Sequence, residues 1–312
     1  MRANTDWFQQ AGWGVFFHYL TSHTTSSEDW NKRVGGFDTV LFADQLAQVQ
    51  APYCFFTIGQ NSGHYCAPNR VYDGFVGREP SLCSRRDLIA DLYDALHARG
   101  IELLVYLPSG AATMDKLAME RLEWRWGLDQ PWEVGGGKPT GERLEAFQRR
   151  WEAVIAEWSR TWGNKVRGWW FDGCYFADAM YRHPEAPNFA SFAAAAKAGN
   201  LKSLVAFNPG VFTPVFSLSE AEDYTAGEIA EAFPTCPGRW VDGAQYQVLS
   251  YLGERWSGGQ PRLTDELAAA YTVYLIQRGG VMTWDLPVAD DGAIAPAYMR
   301  QLTAINRAVQ AR

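Results

Sequence analysis

Short apolar runs alternate with helical stretches along most of this chain, and few folds accept that order. The runs fall at residues 14–19, 53–59, 101–106, 168–171, 203–207, 246–252 and 280–284, with a weaker one at 223–228. Each is too short for a helix and, the weak one aside, nearly continuous in apolar side chains, as strands buried on both faces are. Helical spacing occupies 42–50, 87–99, 143–162, 188–198, 265–278 and 296–309. Leu88, Leu92 and Leu96 repeat four apart, Gly100 stops that helix, Pro52 closes the one before it, and Thr264 stands as an N-cap. Regular alternation of strand and helix implies a parallel sheet. Eight such units in 312 residues predict a closed (β/α)8 barrel of the TIM type. The doubly wound open sheet is the competitor. It carries a glycine-rich phosphate loop after its first strand, and here that strand runs into His18-Tyr19-Leu20-Thr21. A single domain over 1–312 is expected. Residues 114–141, rich in Trp and broken by glycine, are read as an insertion near 112–142. The chain ends on the 296–309 helix, so no appended β-sandwich is expected.

Composition narrows the function. The chain is 47% hydrophobic and 20% charged, enough for a sizeable core, and its net charge of −7 argues against general nucleic-acid binding. Fourteen Trp, 14 Tyr and 17 Phe suit a sugar cleft as well as they suit core filling. The five Cys are odd in number and show no CxxC pair, and no His-x-x-x-His spacing occurs, so neither a disulfide framework nor a zinc site is expected. Reduced, mostly buried thiols are the default. No apolar stretch approaches the length of a membrane span, and residues 1–10 lack a signal-peptide core. A cytoplasmic location is the corresponding expectation, with no cofactor, no metal, no nucleic-acid partner and no membrane.

In such a barrel, catalytic groups stand at the C-terminal ends of the strands. Those ends carry His18, Gln60, Asn61, Tyr106, Asp172, Asn208, Glu228 and Trp284. The clearest is Asp172, which follows Gly168-Trp169-Trp170-Phe171 and precedes Gly173; Trp170 shares its face. Asp172 and Glu228 are the two carboxylates of the set. A carboxylate pair across an aromatic cleft suggests glycoside hydrolysis, one group attacking the anomeric carbon and the other protonating the leaving oxygen. Glu222 is the alternative to Glu228, because spacing does not choose between them. Trp13, Trp124, Trp126, Trp151, Trp158 and Trp162 are read as packing.

Several segments resemble glycoside hydrolase family 29, the retaining α-L-fucosidases. Trp7-Phe8 followed by Gly14-Val15-Phe16-Phe17-His18 is similar to that family's "WF…FGIFIHWG". Glu28-Asp29-Trp30 stands where it carries an acidic-Trp pair. Residues 53–69 and 87–106 parallel its next two units, Trp170-Phe171-Asp172 its W-x-D, residues 223–228 its DF-x-TAE, and residues 290–294 its DG-x-I. The resemblance implies Asp172 as nucleophile, Glu228 as general acid/base, and His18, Asp29, Trp30, Tyr106 and Trp170 as sugar contacts, with a carbohydrate as substrate. The chain departs from the pattern where Gln60-Asn61 replaces a His-His pair and Asn208-Pro209-Gly210 replaces an arginine. The mechanism can carry over while the sugar changes, because a polar site strongly rejects a substrate lacking its hydrogen-bond partner. Two other functions compete. A non-catalytic sugar-binding barrel would turn its second acid away from the pocket. A metal-dependent hydrolase would bring His18, His64 and an acid onto one ion.

Overall fold

The structure is a computed structural model that describes residues 2–125 and 141–312. Residues 126–140 of the expected insertion, with Trp126 among them, lie outside the described residues. Helix α1 (Asp6–Ala11) precedes β1 (Trp13–Phe17). Helices α2 (Ser27–Gly36) and α3 (Thr39–Gln48) lead to β2 (Tyr53–Thr57). Helices α4 (Arg70–Val76) and α5 (Leu88–His97) lead to β3 (Glu102–Pro108), and α6 (Lys116–Leu122) and α7 (Glu145–Trp162) to β4 (Gly168–Asp172). Helices α8 (Ala177–Met180) and α9 (Phe189–Ala196) precede β5 (Leu204–Phe207). A small hairpin, β6 (Trp240–Val241) and β7 (Ala244–Gln245), comes before β8 (Gln247–Tyr251). Then follow α10 (Asp265–Gln277), β9 (Val281–Asp285) and α11 (Pro296–Gln310). The expected Thr264 cap is present and accepts from the Leu267 amide; Asp87 caps α5 in the same way, accepting from the Ala90 amide.

The main sheet is curled, parallel and seven-stranded, in the order β5-β4-β3-β2-β1-β9-β8. Strand alternation divides its side chains between two cores. Phe16, Phe55, Leu104, Tyr106, Trp170, Leu204 and Leu249 point inward, with Phe8 of α1 packed among them. Val15, Phe17, Phe56, Val105, Trp169, Phe171, Val205 and Trp284 point outward against the helices. Register sets which inward groups meet. Tyr106 is the strand partner of Trp170, and the two rings stack at 5.5 Å.

The weak sixth strand takes a particular form. The segment 223–229 lies beside β8, where the Thr225 amide donates to Gln245 O, the Leu249 amide to Gly227 O and the Ile229 amide to Leu249 O. Toward β5 there is one backbone bond, from the Asp223 amide to Val205 O. Carboxylates satisfy the remaining β5 amides: Val205 N donates to Asp223 Oδ2 (2.9 Å) and Phe207 N to Glu222 Oε2 (3.1 Å). Asp223 also pairs with Lys197 Nζ at 2.6 Å. Side chains therefore replace backbone at this seam, which is why residues 222–223 are acidic yet fully buried.

Gly227 has a positive φ of 60°, and a Cβ there would overlap the carbonyl of Gln247. Gly227→Ala is expected to cost about 2–4 kcal/mol, from left-handed backbone strain and overpacking. The measurement is the urea midpoint at unchanged slope. A wild-type midpoint would mean that the segment does not seat against β8.

Candidate active site

The C-terminal ends of the strands enclose a cavity of about 200 Å³, lined by His18, Leu20, Gln60, Tyr106, Trp170, Asp172, Glu228, Leu249, Trp256 and Ser257. That is the scale of one sugar ring rather than a chain. Asp172 ends β4 and is fixed on both oxygens. Tyr106 Oη donates to Oδ2 at 2.7 Å, and Asn208 Nδ2 donates to Oδ1 at 2.9 Å. Tyr175 Oη stands 3.5 Å from the same Oδ1. Gln60 Nε2 in turn donates to Tyr106 Oη at 2.6 Å. This series orients the carboxylate from β2 through β3.

Asn208 connects the two acids. Its Nδ2 also donates to Glu228 Oε2 at 2.5 Å. The two oxygens it holds are therefore no farther apart than about 5.4 Å, the sum of the two bonds, against the ~5–5.5 Å carboxyl spacing of retaining glycosidases. Burial raises the Glu228 carboxyl to about 7, and the nearby charge of Asp172 adds to it; the Asn208 hydrogen bond and His18 act in the other direction. A carboxyl so raised is protonated in part at neutral pH, where an ordinary carboxyl is ionised.

His18 reaches the cavity from just beyond β1, with its Nδ1 2.7 Å from Asp285 Oδ1. A carboxylate can only accept, so Nδ1 carries the proton. Asp285 also accepts from the Ser257 amide (2.6 Å) and from Ser257 Oγ (3.0 Å). It thereby ties β9 to the loop that carries Trp256 to the cavity wall. Trp170 lies in the inner core and donates its indole N–H to Ala226 O at 3.0 Å.

The structure brings His18, Gln60, Tyr106, Trp170, Asp172, Asn208 and Glu228 together. Asn61 lies next door, in a smaller recess of about 50 Å³ that shares Tyr106 and Asp172 with the main cavity. Three expected contacts stand elsewhere. Asp29 is exposed in the first turn of α2, where Ser26 Oγ donates to its carboxylate; an acid there favours the helix N-terminus. Trp30 is buried in the outer core, its indole donating to Tyr65 O. Trp284 is also buried outward, its indole donating to Thr272 Oγ1. Strand parity is the reason, since β9 turns Trp284 out and Asp285 in.

Glu222 is likewise walled off from the cavity. Phe207 N and Leu218 N donate to its two oxygens, although burial raises it to about 8. His64 gives its Nε2 to Thr25 O and packs against Trp30. Among the described residues no group of His, Cys, Asp or Glu is placed to share an ion. The five cysteines are free and buried, and no described helix is long and apolar enough to cross a membrane.

Sequence reasoning missed Asp285, Trp256, Ser257 and Tyr175. For Asp285 the signal was present, since Trp284-Asp285 ends β9 as Phe171-Asp172 ends β4. Trp256 and Ser257 sit in an irregular loop with no period to read.

No protein-family model matches the chain, and no curated protein matches its sequence. Solved structures do match. The endo-fucoidan hydrolase MfFcnA4 of glycoside hydrolase family 107 superposes with a TM-score of 0.72 at 18% identity, over 97% of this chain and 53% of that one. The α-L-fucosidase AlfC, solved with 4-nitrophenyl-α-L-fucopyranoside, gives 0.69 at 13% identity over 99% of both chains. A family 29 α-L-fucosidase from Bacteroides thetaiotaomicron, trapped as a covalent intermediate, gives 0.63 at 15% identity over 98% of this chain and 75% of that one. This chain thus spans about half of MfFcnA4. At these identities the likeness is one of fold, shared with fucose-acting glycoside hydrolases.

Proposed function

We propose that this chain is a retaining, exo-acting glycoside hydrolase related to the family 29 fucosidases, cleaving an α-L-fucoside or a related α-glycoside. In this reading the segment 223–229 serves as the eighth strand of a closed (β/α)8 barrel, and the chain forms one domain. The observation that carries the proposal is the shared amide of Asn208, which holds an oxygen of each carboxyl within about 5.4 Å of the other on the edge of a ring-sized cavity; that limit supports the close pair of a retaining enzyme over the ~6.5–9.5 Å of an inverting one. A non-catalytic sugar binder would have no need of an acid lodged beside Asp172.

The chemistry follows from the placement. An oxygen of Asp172 attacks the anomeric carbon as the bond to the leaving oxygen breaks, and Glu228 gives that oxygen its proton. Water then attacks the glycosyl-Asp172 ester. Glu228 takes the water's proton, the sugar departs and both carboxyls are restored. The cavity supports exo attack, because it has room for one ring.

The direct test is hydrolysis of a panel of 4-nitrophenyl α-glycosides, with the α-L-fucoside expected to lead. Asp172→Gly is expected to lose roughly three orders of magnitude or more in kcat/KM and to regain turnover with azide, releasing a glycosyl azide. Undiminished hydrolysis by the variant would remove Asp172 from the mechanism.

The pH profile tests Glu228. Its raised carboxyl is protonated below about 7 and ionised above, so kcat/KM should fall on the alkaline side, with a limb near 7. Glu228→Gln should abolish that limb. Asn208→Ala removes a bond that favours the ionised form, so its limb should move to higher pH while the rate falls. A limb that stays in place in both variants would assign the proton to another group.

A further inference from the structure

Asp285 has no part in the proposed chemistry, yet it is a fully buried carboxylate at the edge of the cavity. Register sets it opposite Phe16 of β1 and opposite Tyr251 of β8. It therefore stands between the two strands whose following residues bring His18 and Trp256 to the cavity wall. Its Oδ1 accepts from His18 Nδ1 at 2.7 Å and from the Ser257 hydroxyl at 3.0 Å, and its Oδ2 accepts from the Ser257 amide at 2.6 Å. Trp256 and Ser257 are the middle residues of a tight turn, which Arg255 and Gly258 close by exchanging backbone bonds in both directions. Ser257 has a φ of 50° there, a left-handed conformation that such a turn ordinarily gives to glycine or asparagine. A conformation of that kind persists where its surroundings fix it, and both donors of Ser257 are spent on Asp285.

The imidazole is fixed as firmly. Its centroid lies 4.6 Å from that of Phe16 and 5.4 Å from that of Tyr106. With the Nδ1 hydrogen committed to Asp285, the neutral ring presents Nε2 as an acceptor. That atom makes no hydrogen bond among the described residues, and the ring lines the cavity. We propose that Asp285 is a positioning residue for sugar recognition. It sets the His18 tautomer whose Nε2 takes a hydroxyl hydrogen of the bound sugar, and through Ser257 it holds Trp256 on the same wall. The inference rests on the glycosidase reading. Asp285 acts through His18 and touches neither Asp172 nor Glu228.

Two measurements test it. The first is 15N NMR of the histidine-labelled wild type, with His18→Gln assigning the signal among the five histidines. Nδ1 is expected to carry the proton and Nε2 to be bare, and the free sugar of the preferred glycoside should shift Nε2 and leave Nδ1 in place. A proton on Nε2, or an Nε2 signal unmoved by the sugar, would overturn the proposal whether or not any variant folds. The second is kinetic. Asp285→Asn can donate to Nδ1 and so reverse the tautomer, and it is expected to lose roughly ten- to hundredfold in kcat/KM, mainly through KM. His18→Gln should lose about as much, and the double variant should be no worse than either alone to within about threefold. Losses that multiply, or that fall on kcat alone, would make Asp285 a structural anchor and leave the glycosidase reading standing. If the wild type turned over no glycoside of the panel, both readings would fall together.

Discussion

One amide nitrogen facing two carboxylates shapes the whole site. Two acids side by side in a buried cleft repel each other when both are charged. Asn208 offers each of them a hydrogen, which holds the acids close without neutralising either. A lysine or arginine in its place would favour the ionised form of both and remove the asymmetry that acid/base chemistry needs. The geometry depends on β5, because Asn208 follows directly on Phe207. The neighbouring strand must then be displaced enough for Glu228 to reach the same nitrogen. The seam of carboxylates between β5 and the segment 223–229 provides that displacement, since Glu222 and Asp223 stand where a backbone ladder would otherwise draw the two strands together.

Much of this was legible in the sequence because strands carry a strict period of two. The run from Gly168 to Asp172 predicts that Trp170 and Asp172 share a face, and both line the cavity. The βα order was equally plain, down to the cap at Thr264. Parity also explains the failure at Trp284. Taking that strand to end at residue 284 made its last aromatic a site residue, whereas extending it by one exposes Asp285 as the inward group. The weak sixth strand was faint for a physical reason. Its partners on one side are side chains, and a strand so bonded does not need the β-branched run that a full ladder favours. Asp29 and Trp30 failed because they rested on resemblance to a motif, while the helix dictates their surroundings here. The loop carrying Trp256 and Ser257 had no period, and tertiary contact with Asp285 alone places it.

The replacement of a His-His pair by Gln60-Asn61 acquires a definite meaning. Gln60 lines the cavity and supplies an N–H to Tyr106, so the support of Asp172 persists with a neutral group. Asn61 points into the adjoining recess instead. The change therefore leaves the hydrogen-bonded support of the Asp172 carboxylate intact.

The buried acids can finally be ordered by the donors each receives and by what they face. Asp223 takes a backbone amide from β5 and the Lys197 ammonium; Asp285 takes His18 and two donors from Ser257; both are anchors. Glu222 takes two backbone amides, and burial still outweighs them, yet nothing outside the protein can reach it. Glu228 is the acid left with a single donor while facing the cavity. Desolvation raises it as it raises Glu222, but of the two only Glu228 lines the cavity. What separates Glu228 from the other buried acids is thus unfilled hydrogen-bonding capacity directed at open space, which residue type and spacing along the chain do not encode.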